Sequence, residues 1–484
     1  MKLKNFSSPV AINLVRTQEG GLWKVLVVSI AFGLAVLLGM LVPILGFNSA
    51  SSVLILFLIL SLVILLGTVT YFAIRSRTWA LIFFLAISVF LIDATIRQRE
   101  LTEQGFDMQS LIKFAIWCAA LLIAFFSTRK FSSNMLRGDI KWLTLFSLLG
   151  LASTAYSLTP IYTFGAGIAA ISYCALAICV AEHLTKQQIL YSLLGAISIV
   201  LALSLAVFAF GDGMAASEGD STIRLAGITG SANSLGRTAS LAILVIAVLV
   251  FGHRLPLYSW RCLVPLGLAL TCLLLSDSRT ATLAVIAALG LYLLRLRPIL
   301  GFTVVIAGAV SGLLLLNLNI PWEQFGKSLA RTGRVSEMTT LTGRTEIWHA
   351  TWTAFLEQPL LGYGFAATKV LLPEVYRSYW GFTVTQAHNF FLQTAVTTGL
   401  VGLAFVLMAL IRQGIAFITR PQLFSGLIFI YLLVYGITEP GPIGPAPNIL
   451  TLFWALSLCW DRVRDAPVAK EIIGAIPKKR KVTV

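Results

Sequence analysis

Apolar runs of about 20 residues follow one another along nearly the whole chain, broken mostly by short polar segments. A helix needs about that length to cross roughly 30 Å of hydrocarbon, and within a bilayer every backbone N–H and C=O must be satisfied inside the protein. The chain is therefore expected to fold as an all-α, polytopic transmembrane helical bundle. The runs lie at 24–47, 50–74, 79–93, 111–127, 141–158, 161–181, 189–211, 234–252, 260–276, 280–295, 299–318, 388–411, 422–438 and 446–460. They predict about fourteen spans, with twelve as the alternative because several, 79–93 and 280–295 among them, are short. With 58% hydrophobic and 12% charged residues and a mean hydropathy of +0.89, the chain lies outside the range of soluble domains.

Charge placement gives the bundle a side. Residues 1–23 carry Lys2, Lys4 and Arg16 but no apolar region ending in a small-residue cleavage site, and read as a retained tail. If that tail is cytosolic, 24 of the 36 Lys and Arg fall on inner segments and span ends and 12 outside, the bias of the positive-inside rule. The net charge of +16 then records orientation rather than nucleic-acid binding. Both termini are expected inside. The resulting division is a 1–23 tail, spans 1–11 over 24–318, a long outer loop 319–387, spans 12–14 over 388–460 and a basic tail 461–484.

Within the loop, Trp348, Trp352, Phe355 and Leu356 recur at helical spacing and predict an amphipathic helix along the membrane or over the bundle mouth. The turn 436–447, GITEPGPIGPAP, is expected to be non-helical. The six cysteines show neither a disulfide framework nor metal-ligand spacing. No phosphate-binding GxxxxGK[ST] loop, Asp-x-Asp pair or metal-spaced His cluster occurs. Metal-free chemistry without ATP or another cofactor is the expectation.

Three outer positions stand out. Arg279, in SDSRTATLA, begins a span where the helix dipole is positive, a placement that favours a nearby anion. Ser276, Asp277 and Ser278 are N-cap candidates there, and Arg279 equally reads as a snorkelling residue or a partner of Asp277. Arg344, in GRTEIWHATW, reads as an anion ligand or as one half of a solvated pair with Glu346. His388, in TQAHNFFLQ, stands where a polar loop becomes a helix. The dipole there favours the neutral imidazole that a general base needs, although a lone histidine is also a common structural residue. His183 and His253 fall on inner loops, leaving His349 and His388 outside, and His349 reads as a packing residue. Asn233 and Arg237 in GITGSANSLGRTASL, Asn389 and Glu439 are further candidates for substrate contact. The glycines around Asn233 equally make a turn, and Glu439 in a loop reads as solvated.

The succession GSANSLGR, LLLSDSRTATLA, GRTEIWHATWTAFLEQPLLGYGF and QAHNFFLQTAVTTGLVGL, over about residues 220–411, resembles the bacterial O-antigen ligase and polysaccharide polymerase superfamily. The resemblance implies a multi-spanning glycosyltransferase of the bacterial inner membrane with its active site on the periplasmic face. Its donor would be an undecaprenyl-pyrophosphate-linked glycan. Its acceptor hydroxyl would lie on another glycan, a lipid A core or another molecule, with other polysaccharide-assembly proteins as partners. It also implies that Arg279 and Arg344 engage the pyrophosphate and that His388 activates the acceptor. About fourteen spans rather than twelve leaves the branch, polymerase or ligase, open. The rival from another class is a transporter or lipid-carrier flippase, which places ionisable residues and broken helices near the bilayer midplane in both halves. The first half of this chain is poor in such residues.

Overall fold

The computed structural model describes residues 66–75, 77–95, 108–210, 224–253, 255–296, 299, 303, 343–376 and 383–465. The described chain is a bundle of helices: α1 (Thr78–Asp93), α2 (Met108–Ser127), α3 (Ile140–Ala152), α4 (Pro160–His183), α5 (Lys186–Phe210), α6 (Ala232–Ala247), α7 (Trp260–Leu275) and α8 (Arg279–Leu296). Two loop helices follow, α9 (Arg344–Glu357) and α10 (Thr368–Val375), and then α11 (Phe390–Thr419), α12 (Leu423–Thr438) and α13 (Ile449–Cys459).

Among the described residues six helices are long and apolar enough to cross a membrane, counting α6 with its π-helical extension to Gly252. The molecule is a multi-pass membrane protein. The expected spans at 24–47 and, but for 299 and 303, at 299–318 lie outside the described residues, as does 50–65; residues 66–74 are helical. The six candidate spans and the shorter apolar helices α1, α3, α7 and α12 fall on ten of the fourteen expected runs.

α4, α6 and α13 form the buried interior. α4 packs against α2, α3 and α13, while α6 packs against α5, α7 and α8. Many of the polar side chains inside are hydrogen-bonded, as a low-dielectric interior favours. Gln413, for example, accepts from Trp454 Nε1 at 2.9 Å and donates to Ser457 Oγ at 2.9 Å. That network lies on the part of α11 beyond the expected end at 411, so the helix continues past Arg412 because its polar groups there have partners.

α11 is two helical pieces joined at Gly399, whose backbone is left-handed with φ 65°. A break inside a helix orphans carbonyls and amides. Here the loop segment after α9 satisfies them. Tyr363 and Gly364 donate their amides to the carbonyls of Val396 and Thr397, while Leu400 donates to the Pro359 carbonyl. The LLGYGF and TTGLVG sequences are thus two halves of one joint, and they clamp the loop helices onto the bundle.

The loop helix α9 buries one side against the bundle and leaves part of its apolar stripe exposed. Ile347, Thr351, Ala354 and Phe355 are buried, the last two packed with Tyr363, Ala367, Leu371, Ala395 and Val396, whereas Trp352 and Leu356 are exposed. His349 is exposed and is not the packing residue expected of it. Clamping at the Gly399 joint sets the helix's rotation, which its own periodicity does not fix.

Candidate functional site

Phe390 brings the site together. Its ring lies against Gly436 near the end of α12, where an added Cβ would meet the Phe390 Cβ at 2.9 Å. Asn389 caps α11 by accepting from the amides of Phe391 and Leu392, both at 3.0 Å. Its side-chain amide also donates to the Ile437 carbonyl at 2.9 Å. The start of α11 is thereby held beside the end of α12, and His388 beside Glu439.

Glu439 is buried, contrary to the solvated carboxylate expected of a Gly/Pro-rich loop. The reason is that the loop is folded into the bundle. α12 continues to Thr438, three residues into the turn expected at 436–447, and Pro440 to Gly444 are themselves buried. A buried carboxylate needs partners, and Glu439 has several. Oε1 accepts from Arg344 at 2.6 Å and from the Asn233 side-chain amide at 2.9 Å, while Oε2 faces His388 Nδ1 at 3.5 Å. Burial alone would push the Glu439 carboxyl up. The His388 ring and the guanidiniums of Arg344 and Arg237 outweigh that and hold it below the ordinary carboxylate value.

His388 occupies the residue before the cap, in the left-handed region at φ 48°, a conformation uncommon for a residue with a side chain. Its carbonyl accepts from Trp348 Nε1 of α9 at 3.2 Å. Nδ1 is buried without a hydrogen bond, its distance to the carboxylate being within ion-pair reach but too long for a formed bond. The sequence placed this ring against a helix dipole; the structure sets it against a carboxylate.

Arg224, which sequence reasoning passed over, completes the cluster. It is buried, donates from Nε to the Ser276 carbonyl at 3.0 Å, and donates from the guanidinium to Asn233 Oδ1 at 2.9 Å and the Asp277 carbonyl at 3.3 Å. It lies in the polar stretch between the apolar runs 189–211 and 234–252, where nothing local marks it. Arg237, by contrast, pairs with Asp93 at 3.0 Å, and Thr238 also donates to that carboxylate, so Arg237 ties α6 to α1.

Arg279 begins α8 at the same end of the bundle, where the neighbouring Thr280 hydroxyl meets that of Thr438 at 2.9 Å. Its ion-pair partner is Asp277 at 3.9 Å, with both side chains 45% exposed. The Ser276 hydroxyl turns back to the Leu273 carbonyl, and the backbone at Asp277 is left-handed. Of the candidates, the structure therefore joins Arg344, His388, Asn233 and Glu439 directly. Asn389 is adjacent as a cap, Arg279 lies apart on an exposed turn, and Arg237 has its own acid. Among the described residues no cluster of His, Cys, Asp and Glu suited to a metal ion occurs.

Residues 264–407, from α7 into α11 and including Arg279, Arg344 and His388, match the O-antigen ligase family. Over that segment the chain is similar to the O-antigen ligase and polysaccharide polymerase superfamily. It is also similar to the exopolysaccharide production protein ExoQ of Rhizobium meliloti (strain 1021), 28% identical over 345 residues that cover 68% of this chain and 74% of that protein. Arg224 and Glu439 lie outside the matched segment but contact it, Arg224 at Ser276 and Asp277 and Glu439 at Arg344 and His388, and Asn233 bridges the two.

Proposed function

We propose that this protein is a metal-independent, inverting glycosyltransferase of the bacterial inner membrane. It moves glycan from an undecaprenyl-pyrophosphate carrier to an acceptor hydroxyl on the periplasmic face. The observation that carries the reading is the convergence of Arg344 and His388 on Glu439, at the end of the bundle where Arg279 begins α8.

The chemistry asks for three things. A sugar hydroxyl is a weak nucleophile and needs a base; a pyrophosphate leaves readily only if its growing charge is met; and the imidazole must present the correct nitrogen. With Nδ1–H turned to Glu439, His388 keeps the lone pair of Nε2 for the acceptor proton, and the carboxylate stabilises the imidazolium that forms. The acceptor oxygen bonds to the anomeric carbon as the carbon–pyrophosphate oxygen bond breaks, and the bonding pair leaves with the carrier. Arg279, exposed and weakly paired, and the donors of Arg344 not used by Glu439 receive the pyrophosphate. Exopolysaccharide production, the role in the relative's name, favours a growing glycan as acceptor over a lipid core.

The gathering of Arg129, Lys130, Arg137, Arg412, Arg420, Arg462 and Arg464 at the opposite end of the bundle supports reading that end as the cytosolic face. Replacing His388 by Ala should abolish transfer from carrier-linked glycan in membranes at normal protein level; undiminished transfer would remove the histidine from the reaction.

A further inference from the structure

Glu439 has to present one oxygen to His388, and a carboxylate free to rotate would not do so reliably. The structure contains a device that fixes it. Arginine carries donors only, so the Arg224 guanidinium admits one orientation of the Asn233 amide: oxygen toward Arg224, nitrogen toward Glu439. The Asn233 amide and Arg344 then both occupy Oε1, leaving Oε2 for His388 Nδ1. Arg224 is itself held by the carbonyls of Ser276 and Asp277, the turn that leads into Arg279. The chain of contacts runs from that turn through Arg224 and Asn233 to Glu439 and the histidine, across α6, α7 and α12.

We propose that Arg224 and Asn233 are positioning residues, which set the Glu439 carboxylate so that its second oxygen serves His388, rather than ligands of the substrate. The proposal rests on the assignment of His388 as the base. Its consequence is energetic coupling: Asn233 matters to turnover only while Glu439 is a carboxylate. Groups acting through one another are non-additive, whereas separate contacts with substrate, or general support of the fold, add.

The experiment uses the full chain in nanodiscs, carrier-linked glycan as donor and single-turnover kinetics, with Asn233→Leu, Asn233→Ser, Arg224→Lys, Glu439→Gln and the double variant N233L/E439Q. Asn233→Leu is expected to lower the rate at saturating donor about tenfold or more, since small misplacements of catalytic groups cost up to about a hundredfold. Donor affinity should change less than about twofold, and the same substitution should have less than about a twofold effect in the Glu439→Gln background. The acid limb of the rate profile should rise in Asn233→Leu, because a carboxylate that has lost a donor attracts the imidazolium more strongly; the charged neighbours Arg344 and Arg237 are unchanged. Asn233→Ser keeps the position polar, and Arg224→Lys retains the charge without the fork, so both should fall between parent and Asn233→Leu.

Equal losses in the two backgrounds, or weakened donor affinity at unchanged saturating rate, would overturn the proposal. An inactive His388→Ala variant together with additive Asn233 losses defeats the relay alone. A fully active His388→Ala variant defeats the reaction on which it rests.

Discussion

Arg344 and Glu439 form a 2.6 Å ion pair that fastens the first residue of a loop helix to the end of a bundle helix. The Glu439 side chain is 4% exposed and that of Arg344 17%, so either partner left alone is a poorly solvated charge. Arg344→Ala should destabilise the protein by about 2 kcal/mol, short of the roughly 3–5 kcal/mol for breaking a wholly buried pair, because Asn233 remains bonded to the carboxylate. The double variant R344A/E439Q should recover part of that loss, a difference readable in thermal melting of the purified protein.

The same carboxylate predicts how stability responds to acid. Its folded value is held below the ordinary one, so its contribution is complete above the unfolded carboxylate range and is lost as pH falls through the lower folded value. The melting-temperature difference between the parent and Glu439→Gln should therefore be constant from neutral pH down to the ordinary carboxylate range and shrink below it. A difference that stays constant into strong acid would mean that Glu439 is not held as the ionised partner of Arg344 and His388.

Hydropathy reveals the helices because a membrane span writes its whole length into composition, and α4, α5 and α8 begin and end close to where the apolar runs do. It reveals the site less well. His388 is visible because it stands where a polar loop becomes an apolar helix, and Arg344 because it opens the amphipathic loop helix, but nothing local says that the 436–447 turn folds inward and buries Glu439. That depends on Phe390 packing against Gly436, a contact between distant segments. Arg224 is hidden for the same reason: its partners Asn233, Ser276 and Asp277 belong to two other helix ends.

The joint within α11 supplies a third prediction. At Gly399 the backbone has φ 65°, and an added Cβ would run into the carbonyl of Leu360. Gly399→Ala should cost roughly 2 kcal/mol or more, from left-handed strain combined with the clash. It should also release the loop, so that limited proteolysis cuts near 343–376 at protease levels the parent withstands. Parental resistance with parental melting would show that the loop is held elsewhere.

Asn389 offers a clean separation of capping from substrate contact. Its side-chain oxygen takes the amides of Phe391 and Leu392, and losing an N-cap costs about 1 kcal/mol. Asn389→Asp and Asn389→Ser keep the cap but lose the amide donor to the Ile437 carbonyl, so both should fall between the parent and Asn389→Ala in melting temperature and transfer rate. If Ser and Asp restore stability but not transfer, the Asn389 side chain has a further role at the site.

Arg279 should behave in the opposite way to Arg344. Its side chain is 45% exposed, and its 3.9 Å pairing with an equally exposed Asp277 contributes little to stability, as is usual for solvated pairs. Arg279→Ala should therefore leave melting unchanged within experimental error. On the proposed reaction it removes a charge-assisted ligand of the pyrophosphate, so donor binding should weaken about tenfold, the scale of one hydrogen bond to a charged group. Arg279→Lys should recover the charge but not the two-point contact, and so restore part of the affinity. Donor crosslinking with a photoreactive carrier analogue, measured across concentrations in parent and variants, reads this directly, and equal crosslinking in all three would place the pyrophosphate away from the start of α8.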